Sequence, residues 1–142
     1  MCDDALKLKN QLCFPLYAAA KAVVNSYKPL LDEIDLTYTQ YIAMMVLWEN
    51  KSIGVKELGE HLYLDSGTLT PLLKRLESKG FLRRDRSVKD ERAVTITITP
   101  EGERLKEKAA DVPAKIMKCM PLSAEEAQTL YSILYKLLGN EK

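Results

Sequence analysis

The sequence predicts a mainly α-helical domain with a small β-hairpin wing, arranged as a winged helix-turn-helix. Three observations support this prediction: two short amphipathic segments in succession between residues 55 and 80, a change of hydrophobic period from about 3.6 to about 2 after Gly80, and long apolar helical stripes on both sides. We expect residues 37–99 to form the winged helix-turn-helix region. Residues 1–36 and 100–142 are expected to form a helical dimerisation region of the same single domain.

Length, composition and charge point to one globular domain. The chain has 142 residues, of which 46% are hydrophobic and 29% charged, with a formal net charge of +1. This is enough for one core but too little for an additional catalytic domain. The sequence has no apolar run long enough to span a membrane, and its N-terminus lacks the basic region followed by an apolar core that is typical of a secretory signal. We therefore expect a cytoplasmic protein that does not bind membranes. Three scattered cysteines and one histidine do not suit a disulfide framework or a metal site, and we expect no metal and no cofactor.

The first predicted helix covers residues 5–34, where apolar side chains recur at intervals of three and four. Pro15 interrupts this stripe. Because proline is tolerated in the first turn of a helix but not in its interior, either the helix starts near Pro15 or a kink follows Cys13. The sequence leaves both alternatives open.

Two further helices lead to the centre of the chain. Thr37 and Gln40 have the spacing of a capping box, which predicts a helix over about residues 38–49. Trp48 is expected to fill the core. A short helix over residues 55–62 follows, and with the next segment it forms a helix-turn-helix pattern.

Residues 64–80 are the segment around which the chain is organised. Four leucines at helical spacing predict one apolar stripe: Leu69, Leu72, Leu73 and Leu76. Asp65 or Ser66 can cap the start of this helix, and Gly80 can end it. The alternative is an ordinary amphipathic surface helix.

The polar face of this helix suits DNA recognition, because hydroxyl, ammonium and guanidinium groups can bind base edges and phosphates. We expect base-edge contacts from Ser66, Thr68 and Thr70. Arg75 is expected to bind a guanine or a phosphate, and Lys74 a phosphate. Between residues 74 and 92 the chain has eight Lys or Arg against four Asp or Glu, a local balance of +4 that favours a phosphate-binding surface.

After Gly80 the alternating pattern predicts two strands, over residues 81–83 and 94–98. The segment between them, residues 86–92, is polar and charged. A hairpin with a basic tip follows from this pattern, and it forms the predicted wing.

The C-terminal third is predicted to be helical. Thr99 and Pro100 begin a helix that continues to Met120 with a bend at Pro113, and a capping box of Ser123 and Glu126 precedes the last helix. The apolar stripes at both ends of the chain are longer than a small domain can bury by itself. We therefore infer a homodimer, with a compact monomer as the alternative.

Two sets of motifs carry a resemblance to a known family. The segment DERAVTITITPEG, residues 90–102, is similar to the wing and exit signature of the MarR family of winged helix-turn-helix repressors. The segments NQLCFPLYAAAKAV, residues 10–23, and YLDSGTLTPLLKRLESKG, residues 63–80, resemble the organic-hydroperoxide-sensing OhrR group. The resemblance implies a homodimer that binds double-stranded operator DNA, represses transcription, and releases the DNA when a cysteine is oxidised.

The resemblance also implies roles for the wing. Arg92 resembles the family arginine that enters the minor groove, and Asp90 resembles the carboxylate that orients this arginine. Arg84 and Arg86 are expected phosphate contacts. The alternative is that these are solvated charges at strand ends.

Two cysteines acquire redox roles from the same resemblance. Cys13 resembles the cysteine that an organic hydroperoxide oxidises to a sulfenic acid, and Tyr27 and Tyr38 match two tyrosines whose hydroxyls serve that cysteine. Cys119 resembles the resolving cysteine of a two-cysteine form, so both an inter-subunit disulfide and a small-thiol cap on Cys13 stay open. Cys2 has no assigned role.

Other functions are compatible with the same residues. A MarR-type repressor could respond to a small apolar or phenolic ligand, with Cys13 inert. A thiol peroxidase would use Cys13 as nucleophile and Cys119 as resolver, but we expect no enzyme because the basic wing and the small scaffold argue against one. A structural DNA-binding protein would have no effector.

Overall fold

A computed structural model describes residues 2–86 and 93–139 of the chain and confirms the predicted mainly helical fold with a small β wing. The helices are α1 (Cys2–Ala5), α2 (Cys13–Asp32), α3 (Tyr38–Asn50), α4 (Val55–Leu62), α5 (Ser66–Ser78), α6 (Pro100–Ala109), α7 (Val112–Cys119) and α8 (Ala124–Leu137). The strands are β1 (Ser52–Gly54), β2 (Leu82–Arg86) and β3 (Val94–Ile98).

The chain divides into two compact units, Met1–Val112 and Pro113–Lys142. The first contains the helix-turn-helix and the sheet, and the second contains most of α7 and all of α8. The predicted division into a dimerisation region and a winged helix-turn-helix region stays a prediction. In the part of the chain that the structure describes, no helix is both long and apolar enough to cross a membrane.

The sheet has three antiparallel strands in the order β1-β3-β2. Ile53 of β1 pairs with Ile96 of β3, and Leu82 of β2 pairs with Ile98. All four side chains are buried, so one face of the sheet is anchored in the core. The hairpin of β2 and β3 was predicted, whereas β1 was not.

The start of α6, residues 99–102, is a packing junction. Thr99 caps α6 by accepting the Gly102 N–H at 3.1 Å, and its own hydroxyl donates to the Gly80 carbonyl. The Trp48 indole donates to the Gly102 carbonyl at 2.8 Å, which confirms Trp48 as a core residue. A Cβ at position 102 would overlap the carbonyl oxygen of Phe81, so only glycine fits there.

Helix α2 begins at Cys13, which decides between the two alternatives for Pro15. Because Pro15 lies in the first turn, where its missing N–H breaks no helical bond, the helix starts there instead of kinking. The prediction of one helix over residues 5–34 was wrong for its N-terminal part, since Leu8–Asn10 form a 3-10 turn separate from α2.

The prediction of one bent helix from Pro100 to Met120 was also wrong. Helix α6 ends at Ala109 and α7 starts at Val112, so the break precedes Pro113. A proline disfavours helical conformation in the residue before it, which here is Val112. The interruption lies earlier in the chain, between Ala109 and Val112. Helix α8 begins as predicted, with both bonds of the Ser123 and Glu126 capping box present.

Helix α8 buries none of its residues within the chain, although one side of it is apolar. Its large exposed side chains include Leu130, Tyr131, Ile133 and Leu137. Apolar surface of this extent is unusual for a free helix in water. The second unit therefore exposes a surface suited to contact with another apolar surface.

Candidate functional site

Helix α5, the segment predicted to read DNA, is fixed to the core by its leucine stripe. Leu69, Leu72, Leu73 and Leu76 are all buried, as predicted. Asp65 is the N-cap and accepts the Thr68 N–H at 2.8 Å. This bond stabilises the charged carboxylate, and it is the main reason that the pKa of Asp65 is below its ordinary value.

The polar side chains predicted to contact DNA share one property, which is solvent exposure. They are Ser66, Thr68, Thr70, Lys74 and Arg75. The Thr70 hydroxyl donates to the Ser66 carbonyl at 2.8 Å, so its oxygen is left as an acceptor for a partner group. The structure thus brings the predicted base-reading and phosphate-binding groups onto one helix, and their contacts with DNA stay a prediction.

The wing is attached to α5 by a salt bridge. Glu77 accepts the backbone N–H of Arg84 at 3.0 Å through Oε2, and it accepts the Arg84 Nε–H at 3.1 Å through Oε1. These bonds, chiefly the backbone one, lower the pKa of Glu77. Arg84, predicted as a phosphate contact, is therefore already paired with a carboxylate of the same chain.

The other predicted wing residues differ in how they are held. Arg86 is exposed at the end of β2, whereas Arg83 donates to Asp85 at 2.8 Å. Asp90 and Arg92 lie outside the described residues. Part of the positive charge counted in the sequence is thus neutralised by neighbours and is less available for phosphates.

A contact that the sequence did not reveal fixes the other end of α5. The Lys79 ammonium lies 3.1 Å from Oε1 of Gln40 and 3.6 Å from Oδ2 of Asp35. Gln40 is 3% exposed, the least exposed polar side chain among the described residues. The only sequence signal for this contact was the capping box, which identifies Gln40 but not its lysine partner.

Cys13 is the first residue of α2, and it is exposed. N–H groups in the first turn of a helix have no partner within the helix, and the preceding residue, Leu12, provides no side-chain cap for them. An anion at this position is favoured by those N–H groups and by the helix dipole. Large apolar side chains beside it, Phe14, Leu16 and Tyr17, are also exposed.

The structure brings Tyr27 and Tyr38 together, and their predicted role beside a cysteine stays a prediction. Their ring centroids are 4.9 Å apart, and Tyr41 lies 5.8 Å from Tyr27. Burial raises the pKa of all three phenols, with smaller contributions from their mutual proximity at Tyr27 and Tyr41. The hydroxyls therefore stay protonated and can donate hydrogen bonds.

Cys13 is far from this tyrosine cluster within one chain. Cys13 and Tyr27 belong to the same continuous helix, fourteen positions apart. At about 1.5 Å per residue this separation is roughly 21 Å along the helix axis. Cys13 can meet Tyr27 only if a second copy of the chain supplies one of them.

Cys119, the last residue of α7, is also exposed, and it belongs to the second compact unit. It is therefore accessible to solvent and to small thiols. The proposed pairing with Cys13 stays a prediction. The side chain of Cys2 lies outside the described part of the structure.

An apolar groove of about 1010 Å³ opens between α4, α5 and the two wing strands. Val55, Leu69, Leu73 and Val94 contribute to its walls. This volume lies at the upper end of the range for small-molecule sites. The alternative of a ligand-responsive regulator therefore also has a physical basis.

Comparison with known proteins identifies the family. The sequence model of the family described as Transcriptional regulator SarA/Rot matches residues 25–109, which is more than half of the chain. The chain belongs to this family. As a member of the SarA/Rot family it is a transcriptional regulator, which confirms the prediction of a regulator and not an enzyme.

Relatives of this SarA/Rot family member support the finer resemblance. The chain is 52% identical over 135 residues to the organic hydroperoxide resistance transcriptional regulator of Bacillus subtilis, covering 95% of this chain and 92% of the relative. It also matches the structure of reduced AbfR bound to DNA, with a TM-score of 0.80, 34% identity, and coverage of 98% and 97%. AbfR, a protein of Staphylococcus epidermidis, matches in a disulfide-containing form with a TM-score of 0.68, 34% identity and 97% coverage of both chains. The predicted resemblance to MarR-type organic hydroperoxide regulators is confirmed.

Proposed function

We propose that this chain is a homodimeric repressor that binds operator DNA and releases it when an organic hydroperoxide oxidises Cys13. The observation that carries the proposal is the exposed Cys13 at a helix start, among exposed apolar side chains, in a chain that also contains a helix-turn-helix. The 52% identity to a regulator of organic hydroperoxide resistance supports it. No cofactor is required.

DNA binding is assigned to α5 and the wing. Ser66, Thr68 and Thr70 reach base edges in the major groove, Arg75 binds a guanine or a phosphate, and Lys74 binds a phosphate. Two such helices in a dimer must be about 34–36 Å apart to meet successive major grooves. In the wing, Arg92 enters the minor groove and is oriented by Asp90, and Arg86 binds a phosphate. Arg84 serves as a structural link to α5.

The oxidation step uses the Cys13 thiolate as nucleophile. Its sulfur attacks one peroxide oxygen of ROOH, so that an S–O bond forms as the O–O bond breaks. The leaving alkoxide takes up a proton and departs as an alcohol, and Cys13 becomes a sulfenic acid. When the thiol of Cys119 or of a small molecule then attacks this sulfur, a disulfide forms and water is released. The apolar side chains around Cys13 favour organic peroxides over hydrogen peroxide.

The sensor site needs two subunits. Since about 21 Å of helix separates Cys13 from Tyr27 in one chain, the hydroxyl that serves Cys13 comes from Tyr27 of the partner subunit. The apolar surface of α8, which is exposed in the single chain, supplies additional contact area for such a dimer. Oxidation at this junction then alters the spacing of the two recognition helices.

The energy required for release is small. A loss of a hundredfold to a thousandfold in operator affinity corresponds to about 3–4 kcal/mol. A modest repacking at the subunit junction supplies this amount. Complete unfolding of either subunit is not needed.

The test is an operator mobility shift with wild type, Cys13→Ser and Cys119→Ser, each with and without cumene hydroperoxide and reductant. Wild type should release DNA after oxidation and rebind after reduction, whereas Cys13→Ser should stay bound throughout. If Cys13→Ser releases the operator as readily as wild type, Cys13 is not the sensor. Release of Cys13→Ser by a phenolic ligand would instead favour the ligand-responsive alternative.

The role of Cys119 is read from the same samples on non-reducing gels. An inter-subunit disulfide between Cys13 and Cys119 should give a dimer-sized band in oxidised wild type that is absent from both single variants. A monomer-sized band with a small thiol on Cys13 would assign the protein to the one-cysteine route.

A further inference from the structure

The backbone fixes the C-terminal end of α5 at a defined place. Gly80 has a φ of 85°, and its N–H donates to the Glu77 carbonyl at 2.9 Å. The N–H of Phe81 donates to the Leu76 carbonyl at 3.1 Å. Together these bonds form a Schellman motif, which ends a helix rigidly. Lys79, the C-cap residue, therefore has a fixed backbone and an adjustable side chain.

The side chain of Lys79 binds the connection between α2 and α3. Its ammonium donates to Oε1 of Gln40 at 3.1 Å and to the backbone carbonyl of Asp35, and it lies 3.6 Å from the Asp35 carboxylate. Two of these contacts are hydrogen bonds, and the Asp35 carboxylate, which lies beyond hydrogen-bond distance, adds an ion pair. Because the Lys79 side chain is 27% exposed and Gln40 is 3% exposed, water competes weakly for the bond between them, whereas the Asp35 side chain is 86% exposed and its ion pair contributes less.

The acceptors belong to the two helix ends that flank this connection. Oε1 of Gln40 also accepts the Thr37 N–H at 3.1 Å, as part of the capping box that starts α3. Asp35, with a φ of 55°, lies in the turn that ends α2. One ammonium thus links the end of α2, the start of α3 and the last turn of α5.

We propose that Lys79 is a positioning residue that couples the orientation of α2 to that of the recognition helix α5. The inference rests on the proposed function, in which α2 carries the oxidised Cys13 at its first residue. Helix α2 runs from Cys13 to Asp32 with Pro29 in its last turn, and a displacement at its start is transmitted along it to the connection that Lys79 holds. In the reduced protein the bonds to Lys79 keep α5 in the operator-binding orientation. Oxidation moves the acceptors away from the ammonium and releases α5.

A direct phosphate contact is the other role open to a lysine on this helix. Lys79 has its acceptors within the protein, whereas Lys74, on the same helix, is exposed and has no ion pair within residues 2–86 and 93–139. The two lysines therefore form a matched pair. Lys79 is expected to affect coupling, and Lys74 is expected to affect DNA contact.

The experiment compares Lys79→Met and Lys74→Met, which both remove one charge from α5. Operator dissociation constants are measured for the reduced protein and after oxidation by cumene hydroperoxide. Lys79→Met should weaken binding by the reduced protein about tenfold, because charge-assisted hydrogen bonds are lost, and should leave binding by the oxidised protein unchanged. Lys74→Met should weaken both redox forms by the same factor.

The salt dependence of binding gives a second measurement. Lys74→Met should reduce the slope of log K against log salt by about 1, and Lys79→Met should leave the slope unchanged. If Lys79→Met weakens both redox forms equally or reduces the slope, Lys79 is a phosphate contact and the coupling role is wrong. If wild type itself fails to respond to oxidation, the proposed function fails, and this result is independent of any Lys79 variant.

A variant that strengthens the link keeps the proposal testable if Lys79→Met does not fold. Gln40→Glu preserves the capping box with Thr37 and places a carboxylate beside the ammonium. The ratio of reduced to oxidised operator affinity should then exceed that of wild type. A ratio at or below the wild-type value contradicts the coupling role.

Discussion

The link between Glu77 and Arg84 predicts that Glu77→Ala weakens both the fold and operator binding. The substitution removes two hydrogen bonds to a carboxylate, at 3.0 Å and 3.1 Å. Such bonds contribute about 1.5–3 kcal/mol each when buried, but these two side chains are 37% and 30% exposed. Allowing for solvent screening, we expect a loss of about 1–2 kcal/mol in the free energy of unfolding, or about 3–8 °C in Tm.

Operator binding should fall because strand β2 is no longer held against α5. The expected loss is about three- to tenfold, measured by fluorescence anisotropy with an operator duplex at fixed salt. Removal of a negative charge near DNA acts in the opposite direction, and Glu77→Gln separates the two effects because it keeps an acceptor for the Arg84 N–H. Glu107→Ala, which removes an exposed carboxylate from α6, is the control and should change neither quantity.

The pH dependence of stability gives an independent check of the same link. The pKa of Glu77 is lowered in the folded state, mainly by the Arg84 N–H, so its contribution is present above the ordinary pKa of glutamate. This contribution is lost as the pH falls through the lowered folded-state pKa. The difference in stability between wild type and Glu77→Ala should therefore shrink in acid. Equal stability of the two proteins at neutral pH, or tighter operator binding by Glu77→Ala, would refute the role of this link.

Two further predictions concern the core of the first unit. Gly102→Ala should lower the free energy of unfolding by about 2 kcal/mol or more in urea titrations, because its methyl group overlaps the Phe81 carbonyl, and a stability equal to wild type would contradict the packing described here. The three clustered phenols of Tyr27, Tyr38 and Tyr41 should ionise above the ordinary pKa of tyrosine, measured by tyrosinate absorbance. Because these pKa values are raised in the folded state, their contribution to stability is complete below about pH 10 and is lost as the pH rises further. Normal titration of all seven tyrosines in the folded protein would contradict this expectation.

The helix starts could be predicted from sequence because they depend on neighbouring residues. Thr37 with Gln40 and Ser123 with Glu126 form capping boxes at the predicted positions, and Asp65 caps α5. In each case a side-chain oxygen meets an N–H three residues later. Local rules of this kind need no knowledge of the tertiary fold.

The missed features depend on contacts between distant parts of the chain. Strand β1 has only three residues, and it forms because β3 offers an edge for pairing. The Lys79 contact joins residues 39 positions apart, so no periodic pattern reports it. The break between α6 and α7 was missed because the apolar stripe continues across it.

In the candidate site too, features that depend on neighbouring residues were predicted, and features that depend on contacts between distant residues were not. The polar face of α5 followed from helical spacing, and exposure of its side chains agrees with the prediction. The engagement of Arg84 by Glu77 did not follow, because it depends on how the hairpin folds back onto the helix. A count of charges in a segment therefore overstates the number of cations that are available to a nucleic acid.

The junction formed by Thr99, Gly102 and Trp48 has an evolutionary consequence. Its bonds hold the scaffold together and involve neither cysteine, and the family match at residues 25–109 likewise excludes Cys13 and Cys119. Homologues can thus keep the same architecture while exchanging the chemical signal to which they respond. The family match covers Tyr27 and Tyr38 but neither Cys13 nor Cys119, so inheritance of the reactive thiols has to be judged outside residues 25–109.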